Sequence, residues 1–426
     1  MSKVLILGSG GREHAITAFV AKDEKVSKIY CAPGNPGTQK IAENVSIDIN
    51  DNNQVLELIK QYDIDFTIVG PEGPLENGVV DFIESNGYKI FGPTKYAAQL
   101  ETSKLFARDF MEKYHIPQPS YFKCNCEEDV MSVSTKLGFP IVLKADGLAA
   151  GKGVIICRNQ TEMEDAMDIM FKEKKFGSAA NNISVEECLK GEEVSVFIVC
   201  DGTNYKILNS AQDHKRAYDD DEGPNTGGMG AYCPSPLVDE KLLKEIEETV
   251  IIPTIKGMAS DGHPYKGFLY VGLMIVNGKP FVIEFNARLG DPETQVVLPM
   301  IESSLFDLLT YAIDENIESV DISSKSGYMV TVVLSAKGYP GKYHKGMIIH
   351  GLDNIENNMI FHAGTKFEND QYYSNGGRVL NVMGYGKTLE NAVDAAYKNI
   401  NLIDFEDMFF RKDIGSKGLK IIKGMV

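Results

Sequence analysis

Side chains able to do chemistry fall into four groups along this sequence. The run Phe281-Val-Ile-Glu284-Phe-Asn286-Ala-Arg288 has the period of a strand, with Glu284 and Asn286 on one face and Ile283 and Phe285 on the other. Two oxygen ligands at i and i+2 on a rigid strand suit magnesium, which takes one or two protein oxygens and completes its shell with water and phosphate. An edge strand with a polar outer face would look the same. The continuation Arg288-Leu-Gly290-Asp291-Pro-Glu293-Thr294 favours the metal, because it sets a fixed cation and carboxylates beside the seat.

A second group is Lys144-Ala-Asp-Gly147-Leu-Ala-Ala-Gly151-Lys152-Gly153, directly after the apolar run Ile141-Val-Leu143. It fails as a Walker loop: three residues separate Gly147 from Gly151, and Gly153 stands where a magnesium-binding hydroxyl belongs. A glycine flap between two strands, with Lys144 as a point charge, meets the same need for backbone N–H groups over phosphates. A plain glycine-rich hairpin is the alternative. Downstream, Ser184-Val-Glu186-Glu187-Cys-Leu189 and Lys190-Gly-Glu-Glu193 form a connection whose backbone could hold adenine while a carboxylate caps a ribose; alone, they are surface glutamates.

The third group is Gly8-Ser-Gly10-Gly11, between a strand and a helix, where N–H groups and a helix N-terminus suit a phosphate. A dinucleotide fold would need a third glycine at position 13, which is Glu13, and an acid ending the second strand, where the chain reads Ile29-Tyr-Cys-Ala-Pro33. A sugar phosphate fits better. The loops Pro33-Gly-Asn35-Pro-Gly37-Thr38 and Val69-Gly-Pro-Glu72-Gly-Pro-Leu75 follow other strands and should reach the same crevice, with Glu72 as an acceptor for ribose hydroxyls. The fourth group, Gln212-Asp213-His-Lys-Arg216 and Gly223-Pro-Asn-Thr226-Gly227-Gly-Met-Gly230, is too long and too specific for a spacer; the acidic run Asp219 to Glu222 inside it reads as solvated surface.

The elements that must position these groups can be read from periodicity. Strands at Val4–Leu7, Lys28–Cys31, Phe66–Val69 and Lys89–Phe91 alternate with helices over 12–21, 54–61 and 77–85, which implies a doubly wound parallel sheet. After Gly92-Pro93 comes a helix over 102–114. A small α+β unit follows, with helices over 127–137 and 162–172 and strands at Ile141–Lys144, Val154–Cys157 and Ile183–Glu186. Longer β segments cover 193–200, 268–276 and 280–285. A β-rich module from Ser326 has strands at 328–334 and 377–382 and a helix over 390–399. Length alone suggests about three domains; the pattern resolves four parts. They are 1–101, then 102–120 with 190–325, then 121–189, and 326–426.

Composition removes several classes. The 426 residues carry a formal net charge of -17, so a broad nucleic-acid or anionic-lipid surface is disfavoured. The seven cysteines are scattered without zinc spacing and read as free thiols of a reducing cytoplasm. The N-terminal apolar run is too short for a secretion signal, and no stretch reaches the ~20 apolar residues of a membrane span. A soluble cytoplasmic monomer without nucleic-acid or membrane partner is expected.

Together the motifs resemble the phosphoribosylamine–glycine ligase family of ATP-grasp enzymes along essentially the whole chain. The marks are Gly8-Ser-Gly-Gly-Arg-Glu-His14, Val69 to Leu75, Lys144 to Val154, Gln212 to Arg216, Pro224 to Ala231 and Arg288 to Gln295. The resemblance implies α/β and α+β architecture: an N-terminal doubly wound domain, a two-part ATP-grasp core with a mobile lid, and a C-terminal β-rich module. It implies ATP-dependent joining of glycine to 5-phosphoribosylamine through glycyl phosphate, with magnesium or manganese. By similarity, Lys104, Lys144, Gly147, Gly151, Lys152 and Gly153 face the ATP phosphates. Glu186, Glu187 and Leu189 hold adenine, and Glu193 the ribose. Glu284 and Asn286 hold the metal, and Gly10, Gly11, Asn35, Gly37, Glu72, Thr226 and Gly227 bind substrate. Arg288 steers glycine's carboxylate, and Asp213 or Asp291 stands near an amine. The alternatives are another ATP-grasp ligase or carboxylase, or a nucleotide-binding protein without turnover.

Overall fold

The computed structural model describes residues 1–148, 153–173, 182–356 and 359–425; Gly151 and Lys152 of the expected flap lie outside these. The opening apolar run becomes Ser2–Gly8, the middle strand of a five-stranded parallel sheet. The sheet runs Glu43–Asn44, Val26–Pro33, Ser2–Gly8, Phe66–Val69, Ile90–Phe91. Val4 to Leu7 are fully buried because helices cover both sheet faces, so the strand reads as a continuous apolar run. Winding reverses at Ser2–Gly8, and the loops leaving this strand and its two neighbours meet there. On one face the helix Asn52–Tyr62 starts where the Asp51 carboxylate accepts from the N–H groups of Asn53 and Gln54, and ends at left-handed Asp63. Its Val55, Leu56, Leu58 and Ile59 pack with Leu5 and Leu7, each full burial contributing roughly 1.5–3 kcal/mol.

Two helices start differently from the sequence expectation. The span 77–85 becomes Glu72–Glu76 and Val79–Ser85, separated at Gly78 with φ +75°. The span 102–114 becomes Gln99–Thr102 and Lys104–Lys113. Ser103 is extended between them, and its hydroxyl accepts from the Phe106 N–H as the second helix's cap.

The small α+β unit is a four-stranded antiparallel sheet ordered Tyr121–Cys124, Ile183–Glu187, Ile141–Ala145, Val154–Cys157. Its helices Glu127–Leu137 and Gln160–Met167 cover a core of its own, including Val130, Ile141, Leu143, Met163, Ile183 and Val185. The N-terminal sheet is independent on one face only, where Leu5 and Leu7 pack with the helix Asn52–Tyr62. Val4, Ile6 and Phe66 share one cluster with Phe197, Phe268, Leu308 and Met383 of later segments, and the Phe91 and Phe268 rings meet edge to face at 4.9 Å.

The C-terminal module does not stand as a separate sheet. The strand Tyr328–Ala336 is apolar on both faces and needs a partner on each edge; it takes Gly230–Cys233 on one side and Arg378–Gly386 on the other. One nine-stranded sheet therefore runs from Lys279–Asn286 through Lys266–Val276, Glu192–Asp201, Tyr205–Asp213, Gly230–Cys233, Tyr328–Ala336 and Arg378–Gly386 to Ile360–His362, with Met408–Phe409 alongside. The helix Leu389–Ile400, capped by the Thr388 hydroxyl, covers this end. Among the described residues, no helix is long and apolar enough to cross a membrane.

Candidate active site

The strand Lys279–Asn286 carries a bulge that simple alternation missed. Its register passes from Leu273 opposite Val282 to Gly272 opposite Glu284, leaving Ile283 as the extra residue. Val282 and Phe285 are consequently both buried, while Glu284 and Asn286, beyond the bulge, still share a face. The unpaired Ile283 carbonyl accepts from Lys144 Nζ at 2.9 Å and from Arg108 Nη2 at 2.8 Å. The lysine heading the flap thus touches the residue next to Glu284, although 139 positions separate Lys144 from Ile283.

Lys144 and Arg108 also share Glu186. Arg108 grips that carboxylate with two bonds of 2.8 and 2.6 Å, and Lys144 Nζ lies 2.9 Å from it. Burial pushes Glu186 up, but Lys144 and Arg108 outweigh it and hold the carboxyl at about 2. Burial meanwhile lowers Lys144 despite Glu186. Asp146, at the foot of the flap, accepts from the Ser103 hydroxyl at 2.9 Å and the Leu105 N–H at 3.2 Å, which sets the flap against the helix start that bears Lys104.

A second cation gathers the remaining carboxylates. Lys215 Nζ stands 2.9 Å from Glu193 and 3.5 Å from Glu284, so the two residues assigned to ribose and metal lie around one ammonium. Burial raises Glu284, yet Lys215, Lys104, Lys144 and Arg288 bring it down to about 2. Asp213 is raised by burial and by Glu193 and Glu284 against the pull of Lys215; Glu293 is raised by burial and by Asp213.

The donor set fits a magnesium-type ion. Glu284 is ionised at any ordinary pH, and Asn286 is buried beside it with its side chain free of hydrogen bonds to the described residues. Among the described residues, no group of three or more His, Cys, Asp or Glu forms a closed metal cage. Such an open site suits an ion that keeps waters and phosphate oxygens.

At the sheet's switch point the three glycine loops do meet. The Gly34 N–H donates to Gly8 O and the Gly70 N–H to Leu7 O. Asn35 donates to Ser9 O at 2.9 Å and His362 O at 2.9 Å, and accepts from the N–H groups of Gly37 and Thr38; its side chain is fully engaged in shaping the loop. Gly10 N–H donates to Glu13 at 2.6 Å, which closes the turn into the helix Gly11–Val20. A Cβ at Gly11 would sit 2.4 Å from Asn381 Nδ2, and one at Gly37 would sit 2.1 Å from the His14 ring, so both positions require glycine.

Glu72 is held by cations at this crevice instead of standing free. Arg288 reaches it at 3.2 Å and Arg12 at 4.0 Å; against the upward push of burial these bring its carboxyl to about 2. Arg288 also meets Glu101 at 2.8 Å, and Glu101 accepts from the Ala287 N–H. Asp291 lies 3.3 Å from Arg378 and accepts from Gln295. Thr226 donates its hydroxyl to Lys215 O, and Gly227 O accepts from Arg378. Glu187 ends the strand Ile183–Glu187 and is exposed, and Leu189 is half-buried in the turn after it. Gly147 and Gly153 flank the flap, Gly147 with φ +143°.

Sequence reasoning did not assign Arg108, Glu101, Lys215, Glu293 or Arg378. Arg108 had a signal: it stands four residues after Lys104, on the same helical face, amid Ala107, Phe110 and Met111. The acidic run is exposed as expected at Asp219, Asp220 and Glu222 and departs from that reading at Asp221. Asp221 is half-buried and bonded to the buried Arg411, and Asp219 accepts from the Lys412 N–H, because a cationic C-terminal segment folds over it.

With this geometry established, likeness to other proteins is informative. Residues 2–101 match the phosphoribosylglycinamide synthetase N domain, 102–294 its ATP-grasp (A) domain and 329–417 its C domain. The chain is 45% identical to a phosphoribosylamine–glycine ligase of Chlorobaculum tepidum over 98% of its own length and 100% of the relative's. A crystal structure of a phosphoribosylamine–glycine ligase from Thermotoga maritima superposes with a TM-score of 0.85 at 35% identity, covering 97% of this chain and 100% of that one. Biotin carboxylase from Campylobacter jejuni, at 16% identity, 99% and 96% coverage and a TM-score of 0.74, shares the fold. The chain belongs to the phosphoribosylamine–glycine ligase family.

Proposed function

We propose that this cleft joins glycine to 5-phosphoribosylamine at the expense of ATP, in de novo purine biosynthesis. One observation carries the reading: Lys144 at the head of the flap bonds to Ile283 O, while Glu193 and Glu284 share the ammonium of Lys215. These contacts support a cleft in which flap, ribose carboxylate and metal strand bound one space. In this reading residues 121–189 are the lid, 102–120 with 190–325 the central ATP-grasp part, 1–101 the phosphoribosylamine domain and 326–426 the C-terminal part.

A carboxylate is a poor acyl donor because its leaving group would be oxide. An oxygen of glycine's carboxylate attacks the γ-phosphorus, the bond to ADP breaks, and glycyl phosphate forms. The amine of phosphoribosylamine then adds to the acyl carbon, and phosphate departs with the C–O electron pair. Lys104 and Lys144 neutralise the transferring phosphoryl group together with the flap residues Gly147, Gly151, Lys152 and Gly153. The backbone of Glu186, Glu187 and Leu189 holds adenine, and Glu193 the ribose. Glu284 and Asn286 would hold magnesium or manganese, which supplies charge neutralisation at the phosphates.

Arg288, anchored by Glu72 and Glu101, steers glycine's carboxylate. Asp213, raised by burial, takes the proton shed by the attacking amine, and Asp291 orients an amine nearby. Gly11, in the first turn of its helix, offers its backbone N–H to the sugar phosphate, while Gly10, Asn35, Gly37, Glu72, Thr226 and Gly227 shape the loops and hold the cations around it. Closure over the flap excludes water from the acyl phosphate. The enzyme works as a cytoplasmic monomer on small molecules, without nucleic-acid or membrane partners. The test is ADP release by purified protein. Release should require glycine and phosphoribosylamine together; equal release with bicarbonate or formate and no glycine would overturn the assignment.

A further inference from the structure

Lys215 is placed by a segment that reaches the site from the far end of the chain. It opens a hairpin, Arg216–Tyr218 paired with Glu222–Asn225, of only three and four residues per strand. A two-stranded ribbon of this size is marginal by itself. On the sheet side the backbone of residue 214 is fixed, since the His214 N–H donates to Gly230 O and the Met229 N–H to His214 O. On the other side the support comes from residues 411–417.

Arg411 is 1% exposed. Its Nη1 donates to the carbonyl of Arg216 at 3.1 Å, the residue next to Lys215, and to Asp221 at 2.9 Å. Its Nε and Nη2 hold Asp413 at 2.7 and 2.6 Å. Lys417 grips the other Asp221 oxygen at 2.5 Å, and the Asp220 N–H donates to Asp413 at 3.0 Å. One buried guanidinium therefore holds Asp221 at the end of the hairpin's outer turn and the carbonyl at its base directly, and the Asp220 N–H through Asp413. A planar five-donor fork serves three acceptors at fixed angles, which an ammonium cannot reproduce.

We infer that Arg411 is a positioning residue for the ligase reaction: with Asp221 and Asp413 it clasps the hairpin so that the Lys215 ammonium stands between Glu193 and Glu284. The inference rests on the proposed reading of that cleft. The C-terminal segment thereby completes the ATP-grasp cleft without touching substrate. The acidic run is one half of the clasp.

A double-mutant cycle on the full chain tests it, with kcat for ADP release, calorimetric ATP affinity and Tm measured together. Arg411→Lys keeps the charge and loses the fork; it should lower kcat about tenfold while the protein stays folded. In a Lys215→Met background the same change should alter the residual rate or ATP affinity less than about twofold, because its effect passes through Lys215. Asp221→Asn, which cuts the hairpin side, provides the same cycle where Arg411→Lys fails to fold. Losses that multiply independently in either cycle, or no loss from Arg411→Lys or Asp221→Asn, overturn the clasp. If Lys215→Met itself leaves turnover and ATP affinity unchanged, the reading of the cleft fails first and the clasp falls with it.

Discussion

The N-terminal domain and the small α+β unit, the proposed lid, join the rest of the molecule by different physics. The N-terminal sheet shares its apolar core with the central strands and the helix Leu305–Ile313: Phe66 meets Phe306 edge-on at 5.9 Å and Phe91 meets Phe268. The lid keeps its core to itself. It is tied to the body through polar contacts, chiefly Glu186 with Arg108, Lys144 with Ile283 O, and Asp146 with Ser103 and Leu105. Apolar packing is dense and does not rearrange by small steps, whereas ion pairs and hydrogen bonds exchange readily with a charged ligand. The domain with the glycine loops is fixed to the body by shared apolar packing, and the unit that carries Lys144 and Glu186 is held to it by polar contacts.

The contrast can be broken in four ways, from the largest effect down. Glu284→Ala should reduce ADP release by about a thousandfold or more, since it deletes the one carboxylate of the strand proposed to hold the metal; a Tm within a few degrees of wild type, measured in parallel, would separate lost chemistry from lost fold. Phe306→Ala should cost about 3–5 kcal/mol and destabilise the N-terminal sheet and the body as one cooperative unit, seen as coincident denaturant transitions by two probes. Arg108→Met leaves Glu186 with Lys144 and the Ser184 hydroxyl and should cost about 3–5 kcal/mol within the small α+β unit and its seat; hydrogen exchange should rise across 121–145 and 183–187 while the strand Ser2–Gly8 keeps its protection. Equal rises in both regions would erase the distinction between them.

The smallest effect is graded by pH. Burial lowers His214 and His362 to about 3, and lowers His14 as well, with Lys40 and neighbouring cations adding to it. A depressed histidine binds its proton more readily when unfolded. Its contribution is therefore complete above the unfolded value near 6.5 and is lost as pH falls toward the folded value, at about 1.4 kcal/mol per pH unit for each group. Glu186 and Glu284, held at about 2, lose their contributions only below about 4.5. Asp213 and Glu293, raised in the fold, favour it as pH falls and oppose this trend, so the histidine loss should show between pH 6.5 and 5 as the difference between wild type and His362→Gln, within the body where His14 and His362 join the N-terminal loops to the C-terminal strands; an identical pH dependence of stability in the two proteins would remove the histidine from the account.

The legible parts of this fold were the local ones. Val4 to Leu7 announced a buried parallel strand, and the glycine loops after three strands announced a shared crevice, because chain direction and topology bring such loops together without any side-chain detail. The Glu284–Asn286 face survived a bulge that the sequence did not reveal, since a bulge is decided by the partner strand. What stayed hidden were pairings across long separations. Nothing near Gly230 says that Tyr328–Ala336 will lie beside it, and nothing near Asp219 to Glu222 says that Arg411 will reach back over 190 positions to hold Asp221. Arg108 was missed for a related reason: an arginine inside an amphipathic helix reads as a solvated edge until its carboxylate partner, 78 residues on, is known.

The central claim is that the cleft turns glycine's carboxylate into an acyl phosphate before the amine attacks. Glycine labelled with 18O in both carboxylate oxygens tests it in a single turnover with ATP and phosphoribosylamine. One labelled oxygen should appear in the released phosphate and one should remain in the amide product. Unlabelled phosphate, with both labels elsewhere, would contradict the account.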